Sequence, residues 1–357
     1  MTDRNVPGKR RLHRSDCSGP GLRRRGRGRG FEYLDQNGER ITDGRTLERI
    51  RDLAIPPAWE EVWICPDPLG HLQATGSDDA GRKQYLYHQR WREHRDRAKF
   101  GRMVSFARGL PRLRRHVAED LDGTEPSRER VLACSVRLLD IGLFRIGGED
   151  YADHGGGLGL TTIRKQHVSL DRRCARFDYP AKGGVRRVQS VAEPACVDLI
   201  RTLRRRRSGD DQLLAYKDGR AWLPVHAEDV NEYLKEELGE EFSAKDFRTW
   251  NATVLGAAVL AANGTEASTK TARQRAIKQA VQAVAEVLGN TPAVARRAYI
   301  DPRVFDRYMS GWTIGPALAD AAEFDALSDR GRRRLELAVV DLLAGDHDSS
   351  AVARLAA

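Results

Sequence analysis

From residue 106 onward, strand-like two-residue alternation appears in one region, around KQHVSLDRRCARFDY and VRRVQSV, while helical spacing governs the rest. That restricts this stretch to a mainly helical domain carrying a small antiparallel hairpin. The intervening PAKGG at 180–184 supplies the turn and puts Lys182 near its tip. Ahead of it, RGLPRLRRHVAEDL and SRERVLACSVRLLDIGLFRIG read as helices. Val131, Val136, Leu139, Leu143 and Ile146 approximate one stripe of the second, a core helix with Arg145 near its end. Further helices are expected over 193–207, 227–239, 244–262, 270–288 and 327–344, with LRRRRSGDDQ as an exposed loop. Residues 31–105 differ: turn signals at QNG and PP, short strands at EVWIC and GHLQATG, and a helix late in GRKQYLYHQRWREHRDRAKF predict a small β-rich domain. The expected fold class is α+β, with a disordered basic arm (1–30), the N-terminal domain (31–105), a larger helical domain (106–345) and a flexible tail (346–357).

The net charge of +10 is unevenly placed. Residues 1–30 hold ten Arg or Lys against two Asp, leaving 51 basic and 49 acidic residues in the remaining chain. A nucleic-acid surface in the body must therefore come from a local arrangement of arginines. The arm LRRRGRGRG at 22–30 lacks aromatics, is expected not to pack, and would add salt-sensitive phosphate affinity or simply solubility. No apolar run approaches a membrane span, and the polar N-terminus lacks a secretory pattern, which predicts a cytoplasmic protein. The five cysteines are scattered singly, arguing for reduced thiols rather than a disulfide framework or zinc site.

Chemistry concentrates in the second domain. In LGNTPAVARRAYIDP at 288–302, Thr291 can cap a short helix, Pro292 suits its first turn, and Pro302 ends it. Tyr299 then lies on a helical face three residues beyond Arg296, as a half-buried anchor or as something reactive. Arg145, in FRIGGEDY, is poorly placed for a charge without an anionic partner. In SAKDFRTW at 243–250, Lys245 and Arg248 sit near a helix start, where anions bind. Asn290 reads either as capping chemistry or as an amide donor. Two arginines, a lysine, an amide and a tyrosine suit phosphoryl transfer without a metal or cofactor. Guanidiniums grip a phosphodiester and offset the charge of its transition state. A lysine can protonate the departing alkoxide, whereas a phenol with a pKa near about 10 leaves readily when the alcohol returns.

The ordered motifs RLLDIGLFRIGGEDY, GLGLTTIRKQHV, AKGG, KDFRTW and LGNTPAVARRAYI resemble those of type IB DNA topoisomerases, specifically the compact poxvirus-like branch found in bacteria. The resemblance runs from ATGSDDAGRKQYLYH to RRAYIDP, over most of the chain. It implies that Tyr299 is the nucleophile, assisted by Arg145, Lys182, Arg248 and Asn290. It further implies a monomer whose two domains close as a clamp on double-stranded DNA, associated with the nucleoid. A 3′-phosphotyrosyl link would hold one strand while the duplex swivels and reseals. DNA contacts are expected from Gln73, Arg82, Lys83, Gln84 and Tyr85 in the small domain, with Tyr87 in its core. Thr161, Thr162, Lys165 and Lys245 are expected to contact DNA from the large one. One departure stands out: many family members place histidine where this chain has Asn290, and no histidine occurs between His226 and His347. A tyrosine recombinase shares the arginine, lysine and tyrosine set, but KDFR has lysine where recombinases usually place histidine. An inactive architectural DNA-binding protein is the other alternative, and Tyr308 is the nearest competing phenol.

Overall fold

The computed structural model describes residues 11–148, 157–263, 269–323 and 328–355. The chain divides into two compact units, Met1–Lys99 and Phe100–Ala357, six residues earlier than the expected boundary. Together, a β-rich first unit and a mainly helical second unit with small sheets make the α+β class.

The first unit is a five-stranded antiparallel sheet in the order β2-β1-β3-β4-β5, from β1 (Leu22–Arg27), β2 (Gly30–Leu34), β3 (Glu60–Ile64), β4 (Leu72–Ser77) and β5 (Lys83–Tyr87). Helix α1 (Gly44–Asp52), capped by the Asp43 carboxylate accepting from the Thr46 amide, buries Ile50 against Leu22, Val62, Ile64 and Ala74 on one face. Trp63, Cys65 and Leu72 lie on the other.

The stretch 22–27, expected within a disordered arm, is thus a strand. It borrows the aromatics it lacks: Leu22 buries beside Ile64, and the Arg24 guanidinium lies 4.1 Å from the Phe31 ring centroid while donating to the Pro56 carbonyl at 3.0 Å. The alternation that buries Leu22 turns Arg23, Arg25 and Arg27 outward. Residues just before it are also placed, because the Ser15 hydroxyl donates to the Leu72 carbonyl at 2.9 Å and accepts from the Leu72 amide at 3.0 Å.

Helix α2 (Gln89–Gly101) leads into α3 (Met103–Leu121), α4 (Arg128–Gly142), α5 (Pro194–Arg205), α6 (Ala227–Leu238), α7 (Ala244–Asn263) and α8 (Lys270–Leu288). Short α9 (Pro292–Ala298), α10 (Pro302–Met309) and α11 (Gly315–Glu323) precede α12 (Asp329–Ala344). The two-residue alternation forms a three-stranded sheet, β6 (Val168–Leu170), β7 (Ala175–Pro180) and β8 (Arg186–Val191), with Lys182 in the turn between the last two. Strands β9 (Ala215–Asp218) and β10 (Ala221–Pro224) make a separate hairpin.

Helices α3, α4 and α12 are joined by a buried ionic network. Arg114 grips Asp140 at 2.9 and 3.0 Å and Glu336 at 2.7 Å, and Arg332 reaches both acids.

Three expectations for this unit are corrected. The core helix stops at Gly142, because Leu143 adopts the left-handed conformation and swings Phe144 into the core against Phe177 and Tyr179. In LRRRRSGDDQ, Arg206 is 8% exposed, donating to the carbonyls of Leu203 and Leu213, so this segment is pinned from inside. Residues 346–355 are not a free tail: β12 (Ala353–Arg354) pairs with β11 (Trp312–Thr313), Val352 is buried, and His347 stacks on Trp312 at 4.0 Å. No described helix is long and apolar enough to cross a membrane.

Candidate active site

The left-handed Leu143 that ends α4 leaves Arg145 in an extended segment, where its backbone carbonyl accepts from the Leu160 amide at 2.7 Å. This segment packs on glycines with no room for side chains. A Cβ on Gly159 would fall 2.4 Å from the Gly147 nitrogen, and Gly147 itself has φ +99°. The resulting cavity, about 220 Å³, lies between Arg145 and Lys182 with Gly147, Gly148, Gly157 and Gly159 along it. Lys182 is exposed on its turn, where Gly183 and Gly184 take φ of +77° and +72°.

From α7, Arg248 enters the same region only 3% exposed. Burying a guanidinium requires partners, and it donates to the carbonyls of Leu143 and Leu288. The end of α8 receives Arg145 in turn, at the Gly289 carbonyl (3.2 Å) and the Asn290 Oδ1 (2.5 Å). That leaves Asn290 Nδ2 buried without a hydrogen-bond partner among the described residues.

Tyr299 is not on the helix that precedes it. Helix α9 ends at Ala298, and Tyr299 follows with φ −129°. The turn is held by the Thr253 hydroxyl of α7, which donates to the Thr249 carbonyl at 2.8 Å, accepts from the Asp301 amide at 3.1 Å and lies 3.3 Å from the Tyr299 carbonyl. Asp301 then caps α10, so Pro302 begins a helix rather than ending one. This geometry brings the half-buried Tyr299 ring to 5.2 Å from the Arg248 guanidinium carbon. Burial alone would raise the phenol's pKa, but Arg248, Arg145 and Lys245 together bring it below its ordinary value. Burial and the neighbouring Arg145 lower Arg248 to about 10. Tyr308, the competing phenol, is 1% exposed in the core, and burial raises its pKa.

Arg145, Arg248, Asn290 and Tyr299 therefore converge, Lys182 shares a cavity with Arg145, and exposed Lys245 faces the phenol electrostatically. The expected DNA-contacting residues divide. On β5, Lys83 and Tyr85 are exposed on one face, joined by Tyr87, which is 39% exposed and stacked on Tyr85 rather than in the core. Arg82 and Gln84 are tied to the Asp78 carboxylate, each at 2.9 Å. Gln73 is 4% exposed, with its amide on the Gly70 carbonyl and its oxygen taken by Arg49, a structural arrangement that leaves no face for a ligand. Thr161 and Thr162 are likewise buried, their hydroxyls closing the glycine segment onto Ile146 and Gly159. Lys165 is half-buried, 3.8 Å from Asp211.

One residue near the site was missed: Arg187 of β8, whose pKa is lowered by burial and by the neighbouring Arg145, against the opposing pull of Tyr179. Its signal was its parity with Val191, which makes it an inward position on an alternating strand.

Residues 88–310, which contain the whole convergence, match the family model described as the catalytic core of eukaryotic DNA topoisomerase I. This chain belongs to the DNA topoisomerase I family, as a type IB enzyme. Residues 30–78 match the model for the N-terminal domain of bacterial DNA topoisomerase IB. Among curated relatives, the topoisomerase is similar to DNA topoisomerase 1B of Acanthamoeba polyphaga mimivirus, 29% identical over 287 residues covering 78% of this chain and 84% of that protein. It is also similar to DNA topoisomerase 1B of vaccinia virus (strain Copenhagen), 19% identical over 284 residues, covering 74% of this chain and 82% of that protein.

Proposed function

We propose that this topoisomerase relaxes supercoiled duplex DNA by a transient single-strand break at Tyr299, as a monomer whose two units close around the duplex in the nucleoid. The phenol oxygen bonds to phosphorus as the bond from phosphorus to the 5′ oxygen breaks. The strand is left with a 3′-phosphotyrosyl end, and the 5′ oxygen departs with a proton delivered from Lys182 or Arg145. After the duplex swivels, the 5′ hydroxyl attacks back and phenolate leaves, conserving the bond without ATP.

The supporting observation is the setting of the phenol: Arg248 lies against its ring, and Arg145 is held by an Asn290 whose amide N–H groups remain unpartnered among the described residues. Arg145 and Arg248 suit the non-bridging oxygens of a phosphodiester, and Asn290 Nδ2 supplies a neutral donor where many relatives use histidine. The DNA-contacting roles of Lys83, Gln84, Tyr85, Arg82, Lys165 and Lys245 belong to the same proposal. For Gln73, Thr161 and Thr162 it is replaced by a supporting role.

Covalent trapping on supercoiled and nicked DNA tests this reading. The adduct is expected from wild type and from Tyr308→Phe and is lost in Tyr299→Phe; loss confined to Tyr308→Phe overturns the assignment. Strand exchange between two DNA sites, rather than relaxation of one, would instead indicate a recombinase.

A further inference from the structure

The last carbonyls of a helix have no partner within it and form its negative end. At the end of α8, three successive carbonyls each receive an arginine from a different part of the fold. Val287 accepts from Arg187 of β8 at 2.8 Å, Leu288 from Arg248 of α7 at 3.0 Å, and Gly289 from Arg145 after α4 at 3.2 Å. Two of the three are the phosphate-gripping pair proposed above, and the third has no assigned role.

Arg187 sits five residues beyond Lys182 on the strand that leaves its turn. It pairs across the hairpin with Tyr179 and meets that residue's hydroxyl, which itself donates to Gln189 at 2.7 Å. Its guanidinium also lies against Gly289, where an added Cβ would come within 2.9 Å of Nη1. The two bodies it joins differ in how firmly they are held. Leu288 and Ala285 of α8 are each 1% exposed, whereas residues 182–186 at the hairpin tip are exposed throughout. The helix end is thus the more buried of the two bodies, and the hairpin tip carrying Lys182 the more exposed.

We propose that Arg187 is a positioning residue for strand cleavage: by holding its strand to the Val287 carbonyl, it fixes the turn carrying Lys182 relative to the arginine pair on the same helix end. The proposal rests on the reading of Tyr299 and Lys182 given above. It differs from ordinary helix capping, which would stabilise the fold without touching one particular proton transfer.

That difference can be measured on the full chain by single-turnover cleavage of two duplexes, one with the normal 5′ oxygen at the scissile phosphate and one with sulfur in its place. A thiolate departs without needing a proton, so a defect in positioning a proton donor disappears on the sulfur substrate. Arg187→Met is expected to slow cleavage of the oxygen substrate by about 10- to 100-fold, with the sulfur substrate cleaved within about threefold of wild type and the melting temperature little changed. Arg187→Lys, which keeps a cationic donor, recovers most of the rate. In a Lys182→Ala background, Arg187→Met adds little further loss, as expected for residues acting through one step. Equal slowing on both substrates, a fully multiplicative loss with Lys182→Ala, or an unchanged rate in Arg187→Met overturns the proposal. If wild type itself forms no adduct on either duplex, the reading of Tyr299 fails instead, and the two failures are distinguishable.

Discussion

Asn290 performs two tasks with the two ends of one amide: its oxygen holds Arg145, and its nitrogen remains buried without a partner among the described residues. Asn290→Ala removes both and is expected to slow single-turnover cleavage by about 100-fold. Asn290→His is tolerated while the imidazole is neutral, since one ring nitrogen can accept from Arg145 while the other donates. Below a pH of about 6.5 the protonated ring can no longer accept and repels Arg145, so this variant's rate falls where wild type's does not. Equal rates for wild type and Asn290→Ala would remove the assignment. At Tyr299, burial raises the pKa but Arg248, Arg145 and Lys245 outweigh it, so the phenolate forms below the ordinary pH of about 10. Cleavage is therefore expected to rise with pH and level off below that value, and Lys245→Met to move the inflection upward; a pH–rate profile unmoved by this substitution would exclude the lysine. Gln73, Thr161 and Thr162 resemble ligand contacts in sequence because polar side chains in glycine-rich segments often are. Their burial against backbone groups depends on loop paths that no sequence period records.

The individual helices were legible where caps and a 3.6-residue stripe coincide. Helix α8 runs over Lys270–Leu288, capped by Thr269 and ended by left-handed Gly289, and α6 is stopped by Gly239. Their joining was not legible, because Asp140, Arg114, Arg332 and Glu336 lie on three helices far apart in sequence. Removing one member of such a buried set strands the others, so Asp140→Ala is expected to cost about 3–5 kcal/mol in urea unfolding. The Asp140 carboxyl is buried, which raises its pKa, yet Arg332 and Arg114 bring it below the usual carboxylate value. Its stabilisation is thus complete above the unfolded pKa of about 3.9 and is lost as pH falls through the lower folded value. The stability gap between wild type and Asp140→Asn should narrow only in that acidic range; a gap already closing at pH 6 would contradict this account. The pairing of segment 346–355 is hidden for a similar reason, since its partners Trp312 and Gly311 lie more than thirty residues earlier.

Across the whole molecule, the basic N-terminal stretch has a defined geometry as well as a charge. Arg23, Arg25 and Arg27 project from one face of β1, opposite the buried Leu22, and the outward side chains Lys83, Tyr85 and Tyr87 belong to β5 of the same sheet. Replacing Arg23 and Arg27 by Gln is expected to weaken DNA binding uniformly across sequences. The slope of log affinity against log salt should shrink by about 0.9 for each phosphate that is no longer neutralised. An unaltered slope would leave these arginines a solubilising role only.

The three guanidiniums gathered at the end of α8 rest on neutral carbonyl oxygens rather than on carboxylates. Among the described residues, no acidic side chain has to be displaced from those bonds when an anion arrives, and dissolved ions have no ion pair to loosen there. Once DNA is bound, the rate of the chemical step should therefore be nearly indifferent to ionic strength, even though capture of the DNA is not.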